Sequence, residues 1–395
     1  MSLDLRIILP QVQQLGHAIA TENNRISQYM PEILQAFESA ARMPAEDIQT
    51  HITGIGNRWT GAIPTEEPLD LIHPTPNDSD AYNVVGADGS QIYPDRHEIA
   101  RYALINVGSI LIRHGSGEAP STSQEATLIF AIDSAQDDLH DLESTATING
   151  RRDVAEMAAL SGWAETHSED KTLLLLDNSL LLWLALRSGA SSKKVTDRLL
   201  HEYLSHLERI RLTGAALAGF IDRPRSSSVI TLLDGLELVE QDNNGTNLFQ
   251  GVDDRRLFSR LLPAGCRSAV FRHPSSLNND FQAAGHEVFF FYLHTGSNEQ
   301  IVRVEVPVWV VEDDELLDLV HAGILQQCRT SEGFPYALIR AHELAVVTHH
   351  ERQTLNDMIQ QVIEQEGIEA RISVKSRTKH WLSSTRRHRL LGKGI

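Results

Sequence analysis

Apolar and polar positions change period several times along the chain, and each change marks an element. Over residues 1–50 the apolar residues Ile26, Met30, Ile33, Leu34 and Phe37 recur at helical spacing, with Pro44 as a stop. Residues 51–80 are rich in Pro, Thr, Gly and Asn and read as a loop. NVVGADGSQIYP reads as an apolar strand ending at Asp88, and RYALINVGSILIRHG as a second strand. ATLIFAIDS reads as a third, with an acidic loop after it. In RRDVAEMAALSGWAE, Val154, Met157 and Leu160 keep helical register. KTLLLLDNSLLLWLAL starts as a buried strand and breaks at Asp177-Asn178-Ser179. VTDRLLHEYLSHLERIRLTG is an amphipathic helix, and ALAGFID is another buried strand.

The order over residues 83–222 is therefore β-β-β-α-β-α-β. Three strands before the first helix suit a meander, and the alternation that follows suits parallel additions to the same sheet. That order matches the ribonuclease H core. The predicted fold is α/β, a ribonuclease H-like mixed sheet flanked by helices. A β-rich insertion at about 225–300 and helical extensions at both ends complete it. HEVFFFYLH and QIVRVEVPVWVV read as a hairpin across TGSNE, rich in Val and Phe. Two helices follow, roughly Asp313–Gln327 and Tyr336–Gln365. The expected organisation is an N-terminal helical segment and loop (1–80), a main domain (81–350), and a helix end with a basic tail (351–395). No repeat of fixed period is present.

Charge sharpens this picture. The 395 residues carry a net charge of −18, which argues against a nucleic-acid coat protein. The segment from Arg371 to Ile395 contains eight Lys or Arg and no Asp or Glu. Such a tail on an acidic body marks an interaction segment able to touch phosphates, or a solvated terminus. The two cysteines exclude a disulfide scaffold and a zinc ribbon built on CxxC pairs. No apolar run approaches a membrane span, and the N-terminus lacks the look of a secretory signal, so a cytoplasmic protein is expected. GxxxxGK[ST], GxGxxG and HExxH are all absent from the sequence, which excludes those routes to an NTPase, a dinucleotide enzyme and a zincin.

Acidic residues that interrupt apolar segments are the candidate chemistry. Asp88 ends NVVGA, Asp177 ends LLLL, and Glu156 lies on the helix before the Asp177 strand. An ionised carboxylate at the end of a buried strand is costly unless paired, hydrogen-bonded or metal-bound. Two aspartates from adjacent strands and a glutamate from a covering helix can converge on one point, an oxygen-rich site suited to Mn²⁺ or Mg²⁺. Asp-Gly-Ser and Asp-Asn-Ser are equally good turn or cap sequences, and Glu156 alone reads as a surface residue. Asp133 and Asp222 also end strands; a cap or turn suits each better. His342, in FPYALIRAHELAVV, is a further candidate ligand, with Tyr336 six residues before it.

VVGADGSQI, LLLLDNSLL, GFIDRPRSSSVITLL, VRVEVPVW and FPYALIRAHELA, in this order, resemble the NurA nucleases. The resemblance covers about residues 80–350. It implies a ribonuclease H-like core and a manganese-dependent DNA nuclease with 5′ to 3′ exonuclease activity and often single-strand endonuclease activity. It also implies a homodimer working with HerA, a hexameric ATP-driven DNA translocase. The family's two strand aspartates fall on Asp88 and Asp177, its helical glutamate on Glu156 and its histidine on His342. The Tyr-Pro-Tyr often seen before that histidine reads Phe334-Pro335-Tyr336, so the first tyrosine is absent and Tyr336 is left for the role. The carboxylates would position metal rather than attack the phosphate. The three acids are expected with oxygens about 4–8 Å apart, with His342 approaching them. A non-catalytic adaptor that clamps DNA or docks on an ATPase ring is the alternative. A small-molecule hydrolase lacks a nucleophile elbow.

Overall fold

A computed structural model describes residues 5–77, 81–95, 100–130, 144–183, 193–240, 249–296 and 300–367. Asp133 and the basic tail lie outside the described residues. The chain divides into two compact units that interleave in sequence. One comprises Met1–Ser79, Asn178–Leu181 and Ala216–Pro335, and the other Asp80–Asp177, Leu182–Ala215 and Tyr336–Ile395.

The second unit contains the sheet that carries the candidate acids. Strands β1 (Tyr82–Ile92), β2 (Tyr102–His114) and β3 (Ser121–Phe130) form an antiparallel meander. Strand β4 (Thr172–Leu176) adds beside β1 in parallel. All five β4 residues are buried, the unbroken apolar run expected of a strand covered on both faces. Before it comes helix α1 (Thr145–Thr166), whose Ser144 side chain accepts from the Thr147 N–H. After it comes helix α2 (Lys193–Thr213), which buries Leu199, Tyr203, Leu207 and Ile210 at spacings of three and four. Helices α3 (Tyr336–Ala345) and α4 (His349–Gln365) close the unit.

Two expectations are corrected here. β1 does not end at Asp88. It pairs with β2 without interruption, from Tyr82↔His114 through Asp88↔Gly108 to Ile92↔Leu104. Asp-Gly-Ser therefore lies in a strand, because β2 satisfies the backbone groups that a turn would have satisfied locally. The single helix expected over Tyr336–Gln365 is two. It breaks at Val346-Val347, and Thr348 opens α4 with a capping box, its hydroxyl accepting from the Glu351 N–H while Glu351 accepts from the Thr348 N–H.

Period-2 geometry sorts β1 into two faces. Gly86, Asp88 and Ser90 point toward α3. A methyl at Gly86 would meet the Ala337 backbone at 2.7 Å, and the Ser90 hydroxyl donates to the Ala345 carbonyl. Gly89 and Gln91 point toward α1. A methyl at Gly89 would meet Glu156 Oε1 at 2.5 Å, and the Gln91 amide reaches Asn149.

In the other unit, strand Ala216–Ile221 pairs antiparallel with Ile301–Pro307, which forms the expected hairpin with Val288–His294. Its core joins Ile26, Ile33 and Phe37 of the N-terminal helix (Leu5–Ala41) to Leu232, Leu233, Phe258, Phe271 and Phe290. The apolar stripe of that helix is thus covered by its own unit, not left for a partner. The exposed apolar residues lie earlier, at Leu5, Leu9, Val12, Leu15 and Ile19. No described helix is long and apolar enough to cross a membrane.

Candidate active site

Register places the two aspartates. β1 and β4 pair in parallel from Asn83↔Thr172 to Ala87↔Leu176; Asp88 and Asp177 are the next residue on each segment, Asp177 just past the end of β4. The apolar run of β4 ends there, where a polar residue first meets solvent.

α3 brings His342 to Asp88. Two glycines let the helix lie on the strands: Gly86 beneath Ala337, and Gly108 beneath Ala341, where an added methyl would sit 2.6 Å from the Ala341 carbonyl oxygen. The helix C-terminus is held by Asn106, whose amide donates to the Ala345 carbonyl at 2.7 Å. From this seat His342 Nδ1 contacts Asp88 Oδ2 at 2.6 Å, with the Asp88 side chain 18% exposed and the imidazole 65%.

Glu156 approaches from the opposite face. Only 4% of it is exposed, and its carboxyl lies against Gly89. Burial pushes its pKa well above the usual carboxylate range, opposed by the Arg152 guanidinium and reinforced by the negative charges of Asp153, Asp88 and Asp177. Arg152 Nε lies 3.1 Å from Glu156 Oε1, and its Nη2 donates to Asp153 Oδ1 at 2.8 Å. The Nε contact is an ion pair without hydrogen-bond alignment. Arg152 was missed in the sequence, although Arg152 and Glu156 stand at i and i+4 on one helix face.

Tyr336 opens α3 and is 36% exposed. Six residues separate it from His342, which puts the two about 120° apart around the helix. Asp222 belongs to the other unit, where Gln300 donates to its Oδ1 at 2.6 Å, as expected of a structural turn. Among the described residues, no three His, Cys, Asp or Glu side chains converge closely enough to hold a metal ion together.

A NurA domain profile matches residues 82–347. The chain belongs to the NurA family. Among solved structures, the NurA nuclease from Sulfolobus solfataricus is similar at 13% identity, covering 91% of this chain and 98% of that one, with a TM-score of 0.53. A NurA bound to dAMP and manganese is similar at 10% identity, over 91% and 98% of the two chains, with a TM-score of 0.43. The catalytic domain of human endonuclease V is similar at 15% identity, over 79% and 99%, with a TM-score of 0.32. At such identities the likeness to the Sulfolobus protein speaks for the fold. No curated protein sequence matches the chain.

The residue types present are ones that suit the divalent ion the NurA family implies, although among the described residues no three of them converge. Asp88, Asp177 and His342 supply oxygen and imidazole donors suited to Mn²⁺ and Mg²⁺. Burial is the first cause of the raised pKa of Glu156; Arg152 opposes it, and the charges of Asp153, Asp88 and Asp177 add to it.

Proposed function

We propose that this NurA-family chain is a Mn²⁺- or Mg²⁺-dependent DNA nuclease that hydrolyses phosphodiester bonds. The observation that carries the reading is the contact of His342 with Asp88, on a strand paired in parallel with the one that ends just before Asp177, in a sheet of ribonuclease H order. Asp88 and Asp177 each follow the last paired rung of β1 and β4, and Glu156 lies against Gly89 on the other face of β1. With Nδ1 donating to Asp88, the His342 ring is held in one orientation and Nε2 keeps the lone pair, able to ligate or to take a proton. A bound divalent ion supplies Lewis-acid polarisation of a phosphoryl oxygen and activation of water. Tyr336, exposed at the start of α3, is available to substrate rather than to the carboxylates.

By resemblance, cleavage runs 5′ to 3′ with single-strand endonuclease activity, in DNA end processing, repair or defence beside a HerA-type hexameric ATPase, in the cytoplasm. A homodimer is supported by the exposed apolar face of the N-terminal helix at Leu5, Leu9, Val12, Leu15 and Ile19. The deciding experiment incubates end-labelled single- and double-stranded DNA with wild type and Asp88→Ala, with and without Mn²⁺. Metal-dependent cleavage by wild type that disappears in Asp88→Ala is expected. Binding without cleavage by wild type would instead favour the non-catalytic adaptor.

A further inference from the structure

Strand Ala216–Ile221 of the first unit runs into Asp222-Arg223-Pro224-Arg225-Ser226-Ser227, which leads to helix Ser228–Glu240. This segment lines an open cavity of about 870 Å³, together with Arg255 from helix Asp254–Leu261. Three guanidinium groups therefore border one concavity on an otherwise acidic chain.

None of the three is used up locally. Arg223 is exposed, and its ion-pair contact, with Asp222, is 3.9 Å long. Arg225 and Arg255 form no ion pair among the described residues, whereas the neighbouring Arg256 is engaged by Asp253 and Asn23. The two acids on the rim, Asp253 and Glu332, do not balance the three arginines. Asp253 moreover spends one oxygen capping its helix, accepting from the Arg256 N–H.

The backbone supports the same conclusion. Arg223 has φ of +48°, a left-handed conformation that costs a non-glycine residue on the order of 1 kcal/mol or more. Gln300 holds Asp222 on one side; on the other, Pro224 favours extended backbone at the residue before it, so Arg223 keeps its left-handed φ against that preference. The arrangement turns a long cation outward at a conformational cost, a pattern met where ligands are gripped. Arginine's planar fork matches the oxygens of a phosphate.

We propose that Arg223, Arg225 and Arg255 form a phosphate-binding subsite that grips the sugar-phosphate backbone of a nucleic-acid strand. It rests on the nucleic-acid reading given above and adds where on the first unit the strand is held. Phosphate contacts fix position without reading sequence, so the subsite is indifferent to base sequence.

The test measures DNA affinity against salt for wild type, Arg223→Gln/Arg225→Gln/Arg255→Gln and Arg223→Lys/Arg225→Lys/Arg255→Lys, without divalent metal so that nothing is cleaved. Removing three phosphate contacts should lower the slope of log K against log salt by about 2 to 3. At 0.1 M salt that is a loss of affinity of about 100- to 1,000-fold. The lysine variant should regain most of the slope, and melting temperatures should match because the replaced side chains lie at the surface. If wild type binds DNA and the glutamine variant keeps its slope, the subsite is wrong while the nucleic-acid reading stands. If wild type binds no DNA, both fall. If inorganic phosphate raises the melting temperature of wild type but not of the glutamine variant, and the DNA slope is unchanged, the cavity holds free phosphate and the strand assignment is overturned.

Discussion

Gly108 faces Asp88 across the β1–β2 ladder and lies under α3, so Gly108→Ala tests how His342 reaches the carboxylate. The new methyl carbon would stand 2.6 Å from the Ala341 carbonyl oxygen, the Ala345 nitrogen and the Leu344 Cβ. Ordinary contact needs about 3.4 Å or more. Two of the three obstacles are helix backbone, so a rotamer change does not relieve the clash and α3 must retreat by about 0.8 Å. His342 follows Ala341 directly, so its 2.6 Å contact with Asp88 would stretch to about 3.4 Å, outside hydrogen-bond range. Overpacking of this kind costs about 1–3 kcal/mol. For a folding unit near 200 residues that lowers Tm by about 2–4 °C per kcal/mol. A displacement near 1 Å at a catalytic group costs on the order of 10- to 100-fold in rate. The paired control is Gly162→Ala, near the C-terminal end of α1, where nothing lies within 4 Å. It should stabilise by about 0.5–1 kcal/mol. Thermal melts and Mn²⁺-dependent DNA cleavage are to be measured on both variants. A Gly108→Ala protein that melts and cleaves like wild type would refute the close approach. One that melts lower yet cleaves at the wild-type rate would show that the His342–Asp88 contact is dispensable.

Further outcomes can be stated in the same terms. Mn²⁺ should raise the Tm of wild type more than that of Asp177→Asn, by mass action on the folded state; equal shifts would mean the metal binds elsewhere. Burial lowers the pKa of His273 to about 4, with Arg303 acting in the same direction and Glu305 against it, and burial likewise lowers His321 to about 4. Both are held neutral in the fold, so their contribution is complete above the unfolded value of 6.5 and is lost as pH falls from there toward 4. The loss is about 1.4 kcal/mol per pH unit per histidine. Denaturant melts between pH 7 and 4 should show that slope, flattened in His273→Gln and His321→Asn. Val12→Asp/Ile19→Asp, at two exposed positions of the N-terminal helix, should convert a sedimenting dimer to monomer with Tm nearly unchanged. A wild type that is already monomeric at micromolar concentration rules out the dimer.

Elements whose signal is local were legible in the sequence. Leu173–Leu176 announced a strand covered on both faces, and the spacing of Leu199, Tyr203, Leu207 and Ile210 announced a helix with one buried side. Less legible were the elements decided by a distant partner. Asp-Gly-Ser carries turn chemistry, yet the β2 ladder and the packed helices hold Asp88, Gly89 and Ser90 in a strand. The stripe Ile26, Ile33, Phe37 said only that one face of the helix is covered, because periodicity does not say by what; here its own unit covers it. The residues that remain uncovered, Leu5 to Ile19, carry a similar pattern one stretch earlier on the same helix.

The candidate site divides along the same line. Asp88 and Asp177 stood out because a charge that terminates an apolar run is conspicuous, and each follows the last paired rung of β1 and β4. His342, one of 18 histidines, gained weight from the family resemblance, since nothing in its immediate neighbours separates it from the rest. The glycines that bring it to Asp88 carried no signal of their own: Gly86 and Gly108 let α3 approach backbone to backbone, which only the packed helix reveals. Glu156 read as a surface residue because helical glutamates usually are. Its burial follows from the combination of a glycine opposite it on β1 and an arginine one turn before it on α1. A buried acid is tolerated where a cation answers it, and Arg152 answers Glu156 in this arrangement. Asp153 and Asp88 act on the same guanidinium. Arg152 therefore belongs to the electrostatics of the site as much as the acids do, although it donates no ligand.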